Sequence, residues 1–161
     1  MPCLHRVASL MSDGCAGARV TVRAALSSHP VSRPVDLPPM RLGYPRTELR
    51  QKLVDYVLRG AKTATAGLRA DCEPHAGEPL PRVGATCVLL GFDDEPVAVV
   101  ETTEVRVVRA ADVDLAFALD EGEGFETVAD WRHAHEKFWA DQGIGDDTLI
   151  VAERFRVVER L

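Results

Sequence analysis

Between residues 47 and 59 the apolar side chains recur every three or four positions, a period that places them on one face of an α-helix. They are Leu49, Leu53, Val54, Val57 and Leu58. Thr47 is a suitable N-cap residue, and Gly60 is typical of the position that follows a helix C-terminus. The pattern therefore predicts an amphipathic helix with a defined end, and residues 60–65 begin an irregular stretch after it.

The centre of the chain carries apolar, β-branched runs that are typical of strands. Residues 86–92 and 97–108 predict two strands, and the Asp-Asp-Glu-Pro run at 93–96 predicts the turn of a hairpin between them. Residues 70–84 are rich in proline, glycine and charge, and they predict a long loop. Residues 148–158 predict a final strand.

Two further helices are predicted before that strand. Asp112 is a candidate cap for a short helix, and Thr127 with Asp130 resembles a capping box for a longer one that ends by Gly143. The longer helix carries a stripe at Trp131, Ala134, His135, Phe138 and Trp139. The order helix, hairpin, helices, strand predicts an α+β fold, with a small closed or partly closed β-barrel flanked by helices.

Residues 1–39 differ from the rest of the chain. They contain several prolines and serines, four arginines and two aspartates, and neither a helical nor a strand period persists. Such a segment can be a transit peptide, a disordered tail, or an extension that precedes a translation start at Met40. We interpret residues 1–39 as a disordered or artefactual extension and residues 40–161 as the folded domain.

The charge of the chain disfavours a general nucleic-acid binder. The formal net charge is −6, and without the charged residues of the extension 15 basic and 23 acidic residues remain, a net charge of −8. Nucleic-acid-binding proteins normally carry a basic patch or excess. The balance favours a small-molecule ligand or a very local contact with a nucleic acid.

Composition also bears on compartment and cofactors. No apolar run approaches the roughly 20 residues that cross a membrane, so we predict no membrane partner. The four cysteines form no C-x-x-C pair, which argues against a disulfide framework and favours the cytoplasm. Cys72 and His75 have a C-x-x-H spacing that Cys87 could extend, but partial sets of this kind are usually accidental. We predict neither a metal nor a cofactor.

The first candidate for chemistry is the run Gly-Ala-Lys-Thr-Ala-Thr at residues 60–65. Lys62 has two threonine hydroxyls within three residues, on Thr63 and Thr65. A lysine that its fold removes from water loses its proton more readily and can act as a base, and a hydroxyl beside a base can become a nucleophile. The plainer interpretation is an exposed lysine after a helix C-terminus, where it suits the helix dipole.

The second candidate is Asp-Glu-Gly-Glu-Gly at residues 120–124, which packs three carboxylates into four residues. Crowded carboxylates raise one another's pKa, and this can make one of them a proton donor or acceptor near neutral pH. The alternative is a solvated acidic loop. His135 lies on the apolar stripe of its helix, where it is either a hydrogen-bonded core residue or a ligand contact.

Taken together, these motifs resemble the ASCH domain, a PUA-like β-barrel family related to RNA-binding folds. The matching pieces occur in order over residues 42–160. They are the run at 60–65, Gly84, Val-Glu-Thr-Thr-Glu-Val at 100–105, Phe-Ala-Leu-Asp-Glu-Gly-Glu-Gly at 117–124, Trp-Arg-His-Ala-His at 131–135 and Glu-Arg-Phe at 153–155.

The resemblance implies a function as well as a fold. Small bacterial members of the family include amidohydrolases that remove the acetyl group from N(4)-acetylcytidine, using a lysine and a threonine of a K-T-x-T motif and a later glutamate. Lys62 and Thr65 match the first two, and Glu121 matches the glutamate, with Glu123 as the alternative. Other members resemble RNA-binding proteins, and ribonuclease activity has been ascribed to some.

The first hypothesis is a cytoplasmic hydrolase of an amide on a nucleoside-like small molecule. In it Thr65 attacks the acyl carbon, Lys62 takes the hydroxyl proton, and Glu121 protonates the leaving amine. The expected substrate contacts are Glu123, Arg132, His135 and Trp131. The alternatives are an RNA-binding module without catalysis and a metal-independent ribonuclease that uses the same cleft.

Overall fold

The computed structural model describes residues 36–73, 76 and 79–161, so the predicted extension lies almost wholly outside the described residues. In chain order the elements are β1 (Pro39–Met40), α1 (Glu48–Leu58), β2 (Ala64–Leu68), β3 (Thr86–Leu90), β4 (Pro96–Arg109), α2 (Leu115–Asp120), α3 (Val128–Phe138) and β5 (Leu149–Arg160). Short 3-10 turns follow β2 and β4. Within these ranges, no helix has the length and apolar character needed to cross a bilayer.

The five strands form one sheet in the order β1-β3-β4-β5-β2. Its centre is the long antiparallel ladder of β4 and β5, and the predicted hairpin pairs β3 with β4. β1 runs parallel to β3, and β2 runs antiparallel to β5. Pro39 already pairs in β1, and Pro38 O accepts a hydrogen bond from Val88 N, so sheet pairing begins just before Met40.

The α+β class is confirmed, but the described strands form an open sheet and not a closed barrel. β1 and β2 lie at opposite edges and do not pair with each other. The sheet does not close on itself, and helices cover its apolar surface instead. α1 places Leu53 and Val57 in a cluster with β3 and β4 residues, while α2 and α3 place Phe117 and Trp131 in a second cluster with β2 and β5 residues.

The predicted caps are mostly confirmed. The Thr47 side chain accepts a hydrogen bond at the start of α1, and Thr127 with Asp130 forms the predicted capping box of α3. The cap of α2 was predicted wrongly. Asp114 accepts the hydrogen bond from Phe117 N, because Asp112 lies in the preceding 3-10 turn and its carboxylate pairs with Arg109.

β2 corrects the expectation of an irregular stretch after α1. Ala64, Ala66 and Leu68 are buried, whereas Thr65 and Gly67 between them are partly exposed, so the run has the alternation of a strand. Alanine and glycine have low strand propensity, and five residues give a short pattern. The strand therefore depends on its pairing with β5, which local sequence does not reveal.

Candidate active site

Lys62 is fixed by the backbone turn that connects α1 to β2. Tyr56 O accepts hydrogen bonds from Ala61 N at 2.8 Å and from Lys62 N at 3.0 Å. One residue later, Thr63 N donates to Asp120 O at 2.8 Å, and this bond ties the turn to the end of α2. The backbone on both sides of Lys62 is thus held by two helices.

Gly122 allows the chain after α2 to approach this turn closely. Its φ is 65°, and a Cβ atom at this position would lie 2.1 Å from Ala61 O and 2.7 Å from Lys62 N. Any side chain would collide with backbone, so the contact requires glycine. The approach brings the carboxylates of Glu121 and Glu123 to the side chain of Lys62.

Lys62 is a buried cation between two acidic residues. Its Nζ lies 2.6 Å from Glu123 Oε1, 3.2 Å from the Glu121 carbonyl oxygen and 3.9 Å from Glu121 Oε2. The side chains of Lys62 and Glu121 are each 1% exposed, whereas that of Glu123 is 24% exposed. A buried charge is costly unless it is paired and hydrogen-bonded. Glu123 therefore serves as the main counter-ion of Lys62.

His135 joins the cluster from α3. Its Nδ1 lies 2.9 Å from Trp131 O, and because a carbonyl oxygen only accepts hydrogen bonds, Nδ1 carries the hydrogen. The other ring nitrogen, Nε2, lies 3.5 Å from Glu121 Oε2. The imidazole stacks on the Trp131 ring at a centroid distance of 4.2 Å and lies tilted at 4.9 Å from the Trp139 ring. These contacts hold Nε2 towards Glu121.

The Glu121 carboxyl is electrostatically unusual. Burial raises its pKa above the ordinary value, Lys62 and His135 act in the opposite direction, and Glu123 adds to the rise. Trp131 contributes a weak lowering influence, although neither its indole nitrogen nor Glu121 Oε1 has a hydrogen-bond partner of normal geometry in the described part of the chain. A carboxyl with a raised pKa keeps its proton nearer to neutral pH and is suited to donate it.

The cluster borders a cavity of about 340 Å³, a volume typical of small-molecule sites. Its polar lining residues are Lys62, Thr65, Glu121, Glu123, His135 and Lys137. Its apolar lining residues are Leu49, Leu53, Ala66, Ala134 and Phe138. The cavity can thus enclose an organic molecule and present acid–base groups to it.

Thr65 reaches the cavity from β2. Its neighbours Ala64 and Ala66 pack into the core, so the Thr65 side chain lies on the other face of the strand. It also borders a smaller cavity of about 80 Å³. Across the described ranges no hydrogen bond joins the Thr65 hydroxyl to Lys62, whose Nζ is engaged by Glu121 and Glu123.

The remaining predicted contacts are placed differently. Trp131 is fully buried in the core and touches the site through His135. Arg132 is not among the residues that line the cavity; its guanidinium pairs with Glu136 and Asp146. Its position on α3, one residue beyond Trp131, turns it away from the stripe that faces the cavity.

The sequence assigned no structural role to Arg154, which supports the site and belongs to the Glu-Arg-Phe run at 153–155. Arg154 of β5 binds Asp120 at 2.7 Å and Glu104 at 2.8 Å, and its guanidinium lies 5.5 Å from the centre of the Phe117 ring. It therefore fixes the end of α2, from which Glu121 follows. The helical period of Leu49 and its neighbours predicted the apolar residues that line the cavity from α1. A helical period does not show whether an apolar face packs against the core or lines a cavity.

No group of three or more metal-ligating side chains is assembled among residues 36–73, 76 and 79–161. Cys72 and Cys87 are both buried and form no disulfide. His75, the other member of the partial set noted above, lies outside the described residues.

A family model identifies the family of this chain. The model of the ASCH domain matches residues 41–159, nearly the whole described chain. The chain belongs to the ASCH domain family. Membership of the ASCH family agrees with a PUA-like relationship. The family includes proteins that bind RNA and proteins that act on small molecules.

Solved structures support the ASCH assignment. An ASCH domain from Lactobacillus crispatus JV V101 is similar with a TM-score of 0.67 and 29% identity, covering 80% of this chain and 87% of that one. A protein from Enterococcus faecalis V583 is similar with a TM-score of 0.67 and 28% identity, covering 74% of this chain and 75% of that one. No match is found among curated proteins.

Proposed function

We propose that this ASCH protein hydrolyses an amide bond of an acylated nucleoside, such as N(4)-acetylcytidine, or of a similar small molecule. One observation carries the proposal: Lys62, Thr65 and Glu121 line a single cavity of about 340 Å³. A base, a hydroxyl and a carboxyl with a raised pKa are the groups that acyl transfer from an amide requires.

The reaction proceeds in two halves. Thr65 Oγ attacks the acyl carbon while Lys62, in its neutral form, takes the hydroxyl proton; the C–N bond breaks as Glu121 donates its proton to the leaving nitrogen. Water then attacks the acyl-threonine, the C–Oγ bond breaks, Lys62 returns its proton to Thr65, and a proton of the water restores Glu121. The products are a carboxylic acid and an amine, and each catalytic group ends in its starting state.

Glu123 has a defined part in this scheme. Across the 2.6 Å contact the Glu123 carboxylate takes the Nζ proton when substrate enters, which leaves Lys62 neutral, and it returns this proton after the acid product leaves. Catalytic hydrogen bonds are often long in ligand-free enzymes and tighten only with substrate present. We therefore assign Glu123 to control of Lys62 and to the cavity rim.

The test is turnover of N(4)-acetylcytidine and a panel of other N-acylated nucleosides, followed by release of the free amine. We expect Lys62→Arg, Thr65→Val and Glu121→Gln to fold and to lose at least about 100-fold in kcat/KM, because each removes a proton-transfer group or the nucleophile. Lys52→Arg, on the exposed side of α1, is the matched control and should keep full activity. Wild-type turnover by Lys62→Arg would exclude Lys62 as the base.

RNA binding is the second candidate, and one surface favours it. Arg59, Arg156 and Arg160 border a groove of about 270 Å³ at the C-terminal end of α1, a local concentration of basic residues on an acidic chain. A few arginines would give weak binding with a shallow dependence on salt. Tight RNA binding that Arg59→Glu with Arg156→Glu abolishes, together with no turnover of any acylated nucleoside, would favour the binding module.

A further inference from the structure

Inside the protein, a carboxyl oxygen of Glu121 faces a ring nitrogen of His135. Glu121 is 1% exposed and His135 is 8% exposed, and Oε2 lies 3.5 Å from Nε2. Nδ1 donates its hydrogen to Trp131 O, so the lone pair of the neutral ring lies on Nε2. Nε2 therefore points at the predicted proton donor.

The free energy of this buried pair depends on whether it holds no proton, one proton or two. With no proton, a carboxylate faces the lone pair of Nε2; with two, a neutral acid faces a buried imidazolium. With one proton, a hydrogen lies between Oε2 and Nε2 across the 3.5 Å that separates them, either on the acid facing the ring lone pair or on the imidazolium facing the carboxylate. Because unpaired buried polar groups are costly, the one-proton state is favoured.

Besides His135, the charged groups that act on Glu121 are Lys62 and Glu123. Lys62 Nζ lies 3.9 Å from the same oxygen but bonds Glu123 at 2.6 Å, and Lys137 reaches the cavity from α3. On its other sides the imidazole meets aromatic rings of Phe125, Trp131 and Trp139. The aromatic surroundings fix the ring in place and leave Glu121 as its acidic contact.

We propose that Glu121 and His135 form a proton-sharing pair that holds one proton between Oε2 and Nε2, with His135 as the positioning residue that sets when Glu121 can donate. This gives His135 a role other than the direct substrate contact expected from the sequence. Its use in catalysis rests on the proposed hydrolase function, whereas the pair itself is a property of the fold.

In the hydrolytic cycle the shared proton leaves from Glu121 Oε2 to the amide nitrogen as the C–N bond breaks. The pair is then left with a carboxylate beside a neutral imidazole, and Lys62, which has just gained the proton of Thr65, lies 3.9 Å from that carboxylate and compensates its charge. The water that cleaves the acyl-threonine returns one proton to the pair.

The experiment follows the Glu121 carboxylic-acid stretching band by infrared spectroscopy across pH, with the band assigned by its loss in Glu121→Gln. His135→Phe keeps an aromatic ring between the tryptophans but removes the nitrogen that favours the carboxylate, so the band should persist to higher pH than in wild type. His135→Gln offers an amide N–H to the carboxylate, so the band should disappear at a lower pH than in His135→Phe. His133→Phe, exposed on the same helix, should match wild type.

Infrared and turnover data separate the two proposals. A band whose pH response is the same in wild type, His135→Phe and His135→Gln overturns the pair, whether or not the protein hydrolyses amides. A band that shifts as expected in a protein without amidase activity supports the pair and refutes the hydrolase. If the hydrolase also holds, the pH profile of kcat/KM should move in the same order as the band.

Discussion

Two buried cations, Arg50 and Lys62, lie at different parts of this molecule and do different things. The side chain of each is 1% exposed. Arg50 donates to Gly43 O at 3.0 Å and pairs at 2.5 Å with Asp94, a carboxylate that is 43% exposed. Lys62 instead meets the acidic run after α2 and lines a cavity.

Burial of a charge alone does not mark a functional site. Arg50 ties the loop before α1 to the β3–β4 turn, and its guanidinium is engaged by backbone and by a hydrated partner. Lys62 faces Glu121, a carboxyl with a raised pKa, and Thr65 reaches the same space. A buried cation indicates chemistry when a second titratable group and an open volume accompany it.

The largest effect should come from the backbone contact that builds the Lys62 region. Gly122→Ala adds a Cβ 2.1 Å from Ala61 O at a positive φ, so both a clash and a strained conformation result. We expect a loss of about 3 kcal/mol or more in the free energy of unfolding, measured by urea denaturation, and loss of activity. Gly124→Ala, where φ is 91° and no atom lies within 4 Å, should cost only the strain, about 1 kcal/mol. Equal losses would show that the contact with Ala61 is unimportant.

Replacing each cation by methionine tests the comparison directly. Arg50→Met leaves Gly43 O without its partner, and we expect a loss of about 2 kcal/mol in the free energy of unfolding but wild-type kcat/KM at a temperature where the variant is folded. Lys62→Met should lose activity by at least about 100-fold at a similar stability cost. Inactivation by Arg50→Met in a folded protein would contradict the separation of roles.

The stability of the protein should report the protonation of Glu121. Because burial raises the pKa of Glu121 in the folded state, the folded chain binds this proton more tightly than the unfolded chain. The contribution is fully present below the ordinary carboxyl pKa and is lost as the pH rises through the raised one. As the pH rises through this range, the free energy of unfolding should fall less for Glu121→Gln than for wild type. Urea denaturation at a series of pH values measures this difference. Glu126→Gln, which is exposed, should follow wild type.

The smallest expected effect concerns the shape of the cavity. Ala134→Leu places extra carbon atoms into the space bordered by Lys62 and Thr65, so KM should rise about tenfold while stability changes by about 0.5 kcal/mol or less. Ala129→Leu, exposed in the first turn of the same helix, is the control. Equal KM values in the two variants would place the substrate elsewhere.

The sequence predicted the elements of this fold better than their arrangement. Caps such as Thr47 and the Thr127 box are local, and they are present as predicted. The open sheet depends on which strands meet, and β2 is recognisable only beside β5. Small residues such as Ala64 and Ala66 have a strand propensity too low to predict this strand from local sequence.

For the site, resemblance supplied the residues and the fold supplied their contacts. Lys62 and Glu123 are 61 positions apart, so no spacing rule predicts the 2.6 Å pair between them. Arg132 was expected at the substrate, but its guanidinium pairs with Asp146 beyond the helix end and it does not line the cavity. Long side chains are poorly placed by helical period alone, since their heads reach whichever partner the tertiary fold provides.

Among the described strands, β2 pairs only with β5, and this pairing has a consequence for the timing of assembly during synthesis. β2 ends at Leu68 and β5 begins at Leu149, so the 80 residues between them must be translated before the partner strand begins. Thr65 opposite Glu153 is subject to the same delay, and Arg154, which fixes the end of α2, arrives with the same strand. Contacts so distant in sequence form late in folding. We therefore expect Thr65 to reach its position beside the Lys62 cluster only after β5 has left the ribosome and paired with β2.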